Sequence, residues 1–161
     1  MAKPYFLIGL AALSLGLAAT DLTTAQAATW HNGTPKALRH TWFHNGKGDN
    51  KAYITYSKTK STGNLCGFDL ASKRYYRLPG YGLKKLKYQA LGHGVYRLSG
   101  IQYSPKGSQV QFDGQRMTYK VKLKKQTVHF YKGYANYGRK ATFPVMKTPA
   151  GFRKLQEQVS H

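Results

Sequence analysis

In 161 residues the chain sets 26 lysines and arginines against five aspartates and glutamates, a formal charge of +21 at neutral pH. That imbalance excludes the mixed-sign surface ordinary in soluble domains and favours a polyanionic partner. The single cysteine excludes an internal disulfide, and so few carboxylates leave little material for acid–base chemistry.

The N-terminus reads in three parts. Lys3 supplies a positive start, Tyr5 to Ala19 is an unbroken run of apolar and small residues, and a polar stretch with Asp21, Thr23 and Thr24 ends in Ala25-Gln26-Ala27. That triplet is the small-x-small pattern of a signal-peptidase site, and the apolar run falls short of the roughly 20 residues a spanning helix needs. The expected organisation is a signal peptide over 1–27 and a single basic, β-rich extracellular domain over 28–161. Loss of the leader removes Lys3 and Asp21, one of each sign, and leaves the charge at +21. No second apolar stretch follows, so no transmembrane segment is expected in the mature chain. Leu78-Pro79-Gly80-Tyr81-Gly82 has a superficial likeness to a sortase signal but lacks its Thr and tail. Cys66 lies too far from the cleavage site for lipid attachment. Flanked by Leu65, Gly67 and Phe68, it reads as a buried thiol, with no disulfide-linked partner expected. The predicted localisation is secreted, with any attachment to the cell surface non-covalent.

The segment after the leader is Thr29-Trp30-His31-Asn32-Gly33-Thr34-Pro35-Lys36-Ala37-Leu38-Arg39, where Gly33 and Pro35 predict a loop or one helical turn. Behind a leader ending Ala-x-Ala-Ala, this opening resembles the small basic secreted proteins of lactic acid bacteria. The match covers the leader and this segment. It implies export to a Gram-positive envelope and brings no activity with it.

Beyond this opening the period is mostly two. Trp42-Phe43 reads as strand, and Lys51 to Ser57 alternates and is rich in β-formers. Leu65–Leu70 and Lys73–Leu78 flank a polar turn at Ala71-Ser72, and Leu86–Leu91 and Val95–Tyr103 flank Gly92-His93-Gly94. Val110-Gln111-Phe112, Asp113-Gly114 and Gln115–Leu123 predict a tight hairpin, since Asp-Gly supplies positive φ. A further turn near Lys124-Lys125 leads into Thr127–Tyr131. After Pro149-Ala150-Gly151, Phe152, Leu155 and Val159 have helical spacing. The expected fold is all-β: a single antiparallel β-barrel or sandwich of about seven to eight strands with a short C-terminal helix.

No catalytic constellation emerges. Glycoside hydrolysis usually needs two opposed carboxyl groups. Here Asp113 is used by a turn, Asp49 sits in the polar loop Asn45–Asn50, Asp69 lies near a strand end and Glu157 is on the C-terminal helix. A Gly-x-Ser-x-Gly elbow is absent. His40 and His44, on a strand, would stand nearly 14 Å apart at about 3.4 Å per residue, too far to chelate without bending. No enzyme activity, metal or other cofactor is expected.

The cationic pattern carries the functional reading. Between Met117 and Leu123 the faces separate, with Thr118, Lys120 and Lys122 opposite Met117, Tyr119, Val121 and Leu123. Lys120, Lys122, Lys124 and Lys125 form one expected contact strip. Arg74 and Arg77, with Arg139 and Lys140, form another, and Lys84, Lys85 and Lys87 make a further cluster. Outward lysines also protect strand edges from aggregation, but that does not account for the near absence of acids among them. The expected role is a secreted, non-enzymatic binding protein held electrostatically on anionic envelope polymers such as teichoic acids, or on another extracellular polyanion. Two readings stay open beside it: a small ligand-binding β-barrel with an apolar interior, and a cationic antimicrobial or adhesion protein.

Overall fold

A computed structural model describes residues 28–48, 50–104, 114–131 and 135–147. In chain order its elements are β1 (His31–Asn32), a 3-10 turn (Lys36–Leu38), β2 (Thr41–Asn45), β3 (Lys51–Tyr56), β4 (Ser61–Asp69), β5 (Arg74–Arg77) and β6 (Gly82–Ala90). There follow β7 (Val95–Tyr103), β8 (Arg116–Lys124), β9 (Thr127–Phe130), β10 (Tyr137–Gly138) and β11 (Val145–Met146). The chain is all-β. Its strands make one sheet of order β1-β6-β7-β8-β9-β10-β2-β3-β4-β5-β11. Two meanders, β2–β5 and β6–β9, are spliced by β10, which pairs with both β9 and β2. No helix of the described residues is long and apolar enough to cross a membrane.

Among the described residues eleven strands stand where seven or eight were expected. Eight have four residues or more; β1, β10 and β11 have two each, too few to leave a periodic trace in the sequence. A closed barrel is also not formed. The sheet ends are β1 and β11, and between β4 and β6 there is no ladder: the Gly63–Tyr81 bridge and the Leu83 amide, which donates to Ser61 Oγ at 3.2 Å, join them instead. The Val110–Phe112 strand, Asp113 and the C-terminal helix lie outside the described residues. Along one edge, β8 pairs with β7, from Ile101–Arg116 to Val95–Lys122.

The Leu78–Gly82 segment has a structural explanation. A Cβ on Gly80 would stand 2.7 Å from the Gly63 carbonyl oxygen, and one on Gly82 would collide with the Ser61 carbonyl. The residues that looked like a sorting signal let two backbones pass at van der Waals distance. The adjoining β6 carries a bulge between Lys84 and Lys87, with Lys85 at φ 53°. Leu83 and Leu86 are three apart, and in a regular strand would face opposite sides. The extra residue of the bulge turns both into the core, where they are 4% and 3% exposed.

The opening segment Gly33–Arg39 is a plug. The Gly33 amide donates to Leu86 O at 2.7 Å, Thr34 N to Lys58 O at 2.9 Å, and Leu86 N to Thr59 O at 2.9 Å. β6 is thereby tied to the β3–β4 turn. Gly33 holds φ 91°, with Lys58 O 2.7 Å from where a Cβ would be, so two independent constraints demand glycine. Arg39 Nε caps the turn by donating to Thr34 O at 2.9 Å, and Trp42 Nε1 donates to Leu38 O at 2.9 Å.

Leu38 and Trp42, both fully buried, anchor the main core with Tyr56, Leu83, Leu86, Leu98, Val121 and Val128. A smaller cluster of Tyr53, Cys66 and Phe143 packs against Phe43, Tyr75 and Val145, so that the segment after β10 covers part of the first meander. Cys66 is buried as expected, and that burial pushes its thiol pKa up, against the lowering effect of Arg77.

If the plug organises the core, Leu38→Ala will cost about 2–5 kcal/mol. Gly33→Ala will cost more than the ~1 kcal/mol that glycine's flexibility alone involves. Urea denaturation reads both, and a loss below about 1 kcal/mol for Leu38→Ala would show the segment to be peripheral.

Candidate polyanion-binding face and aromatic cleft

Strand register assembles the first cationic strip and enlarges it. On β8 the alternation places Arg116, Thr118, Lys120, Lys122 and Lys124 on one face, with Tyr119, Val121 and Leu123 turned to the core. Lys120 lies directly opposite Arg97 of β7, Arg116 opposite Ile101, and Lys122 between Val95 of β7 and His129 of β9. Lys124 faces Thr127 across a two-residue turn in which Lys125 adopts φ 46°. The four predicted lysines therefore follow one strand and its turn.

Arg97 and Arg116 were missed by the sequence reading. Arg116 continues the same alternation two residues before Thr118 and was legible there. Arg97 becomes a neighbour only through the β7–β8 register, which no local pattern reveals. Both arginines spend a nitrogen on neutral partners: Arg97 Nη1 donates to Gln89 Oε1 at 2.9 Å and Arg116 Nη1 to Ser99 Oγ at 3.3 Å.

Like charges opposite one another across strands are destabilising. No carboxylate among the described residues of this face relieves the Arg97–Lys120 pair. Among the described residues the sole acidic side chain is Asp69, in the β4–β5 turn, where it accepts the Ser72 amide at 2.8 Å. The hydrogen bonds from Ser72 hold its pKa below the ordinary value.

The second strip is brought together only in part. Arg139 follows β10, and its amide donates to Gln126 O at 2.8 Å, in the same turn as Lys125. Arg139 and the exposed Lys140 thus follow directly on the turn that ends the first strip. Arg139 Nη2 lies 3.5 Å from His40 Nδ1, and Arg77 Nη1 is 3.5 Å from Thr41 Oγ1, with its guanidinium 5.5 Å from the Tyr53 ring centre. Arg77 and Arg139 so converge on neighbouring residues at the start of β2. Arg74 does not join them. Its guanidinium donates to Val145 O at 3.0 Å and fastens β11 to β5. Lys84 and Lys85 sit in the β6 bulge, and Lys87 Nζ lies 4.9 Å from the Trp30 ring centre.

His44 Nδ1 is 3.0 Å from Asn136 O, and no group of three or more potential metal ligands occurs among the described residues.

Between β3–β4 and β8–β9, with Tyr81–Leu83 across one end, lies a mostly apolar cleft of about 540 Å3. Tyr119 stacks on Phe130 (ring centres 6.0 Å apart, 21° between planes), and Phe130 meets Tyr137 edge-on at 5.4 Å. Beneath them Tyr56 and Tyr119 share a hydroxyl–hydroxyl hydrogen bond of 2.8 Å. Burial pushes Tyr119 up to about 12 from an ordinary 10.0, and burial together with the Tyr119 hydroxyl raises Tyr56 well above it.

The unfolded chain releases these two protons near pH 10, whereas the folded chain keeps them. Stability is therefore full below pH 10 and falls as the pH climbs towards 12. The urea midpoint followed against pH will show that fall, and Tyr56→Phe with Tyr119→Phe will flatten it. Phenolate absorbance that rises for all tyrosines together near pH 10 would contradict the buried pair.

Compared with known proteins, the chain matches no family model, no curated protein and no solved structure.

Proposed function

We propose that this is a secreted, non-enzymatic binding protein held electrostatically on anionic polymers of the cell envelope, with teichoic acids as the polymer class. The observation that carries this reading is the row of like charges across β7, β8 and the β8–β9 turn. Arg97, Arg116, Lys120, Lys122, Lys124 and Lys125 succeed one another there, and the Arg139 amide bonds to the same turn. Proteins normally separate such charges with carboxylates. None lies among the described residues of this row, and its repulsion is relieved when a polyanion lies along it.

The geometry suits a phosphodiester chain. Lys120, Lys122 and Lys124 recur every second residue, about 7 Å along the strand, a step a flexible polymer can follow. The arginines add planar guanidinium groups that grip phosphate oxygens in pairs. Export rests on the leader over residues 1–27. It makes envelope polymers, rather than cytoplasmic nucleic acids, the polyanions this surface would meet.

Co-sedimentation with purified Gram-positive walls, native or stripped of teichoic acids, tests the reading across a salt series. Binding will require the teichoic acids. It will fall roughly 10³-fold over a fourfold rise in salt if about six phosphates are engaged. Lys120→Glu, Lys122→Glu and Lys124→Glu together will abolish it, while Arg74→Glu will change it little. Retention indifferent to both salt and teichoic acids would overturn the proposal.

A further inference from the structure

The cleft presents a chemistry unlike the cationic face. Its volume, about 540 Å3, lies within the roughly 300–1,000 Å3 typical of small-ligand sites. Four large apolar or aromatic side chains of its lining stand in water: Leu65 at 52%, Met117 at 39%, Tyr81 at 39% and Tyr131 at 38% exposure. Deeper in, Leu83 and Phe130 continue the apolar wall.

The polar groups of the lining are largely engaged within the protein. The Tyr119 hydroxyl is bonded to Tyr56, Asn64 Nδ2 donates to Pro79 O at 2.6 Å, the Tyr53 hydroxyl donates to Leu78 O, and Ser61 Oγ accepts the Leu83 amide. A sugar would need such groups for itself, so the lining discriminates against carbohydrate. The charge at the cleft has one sign. Lys120 is the single ionised side chain of the lining, and its Nζ stands 5.0 Å from the ring centre of Tyr131 at the rim.

We propose that the cleft binds a single-chain amphipathic anion, of the fatty-acid type. Its apolar chain lies among Leu65, Leu83, Met117 and Phe130, and its anionic head is at Lys120. The inference stands on the cleft and does not require the wall-binding reading, although Lys120 serves both.

Calorimetric titration of the mature protein with octanoate, decanoate and laurate tests it, with dodecanol as the neutral control. One site is expected, with affinity rising about fourfold per added methylene until the cleft is full. That binding will persist at the salt concentration that strips the protein from walls. Leu65→Ser with Met117→Ser, both at exposed positions, will lower laurate affinity at least tenfold. Lys120→Gln will weaken laurate and leave dodecanol unchanged. Lys122→Glu, Lys124→Glu and Lys125→Glu together will abolish wall binding while laurate still binds, so the two readings fail separately. Laurate binding at many sites, lost with salt and indifferent to Leu65 and Met117, would overturn the proposal by showing adventitious ion pairing with the basic face.

Discussion

The hydrogen bonds of Gly33 and Thr34 to Leu86 and Lys58 are the constraint on which the rest depends. They join β6 to the β3–β4 turn, two parts of the sheet that no ladder connects. With that junction made, Leu38 is driven into the interior and meets Trp42 at the head of β2. The Leu83–Leu86 bulge then has a surface to pack on. Fully burying a side chain such as Leu38 is worth roughly 1.5–3 kcal/mol, a large fraction of what holds a domain of this size together. The same core must also offset the repulsion among cations on the outside.

Inside and outside are thus specialised in opposite senses. One face of β8 carries Lys120, Lys122 and Lys124, while the other carries Tyr119, Val121 and Leu123. A single strand supplies both the cationic row and a wall of the aromatic cleft. Lys120 lies where the two meet, beside Tyr131. The opening segment that resembles secreted proteins of lactic acid bacteria belongs to neither surface. Gly33, Thr34, Pro35 and Leu38 are buried, so its pattern reflects the demands of folding.

Local chemistry accounts for what was legible beforehand. The alternation in Lys51–Tyr56 and Arg116–Lys124, the turn at Ala71-Ser72 and the Gly92-His93-Gly94 connection are all encoded within a few residues. The lysine strip on β8 was legible for the same reason. Arg97 was not, because its position beside Lys120 depends on register between distant strands. Arg74 lies apart from Arg77 and Arg139, bonded to a carbonyl of β11, a placement that depends on distant pairing and leaves no local trace. Strand pieces of two residues leave no period to read. The close backbone approach at Gly80 and Gly82 is likewise set by distant strands, where the sequence suggested only a sorting-like motif.

That crossing has a mechanical consequence. Within each meander neighbouring strands are held by ladders, and parting them breaks many bonds together. Between β4 and β6 the chain is basted rather than sewn, by the Gly63–Tyr81 bridge and the bond from Leu83 to Ser61. Tyr81, Leu83 and Ser61 also border the cleft. These few stitches, with the Gly33 and Thr34 bonds to Leu86 and Lys58, are what hold the two meanders against each other on this side of the cleft.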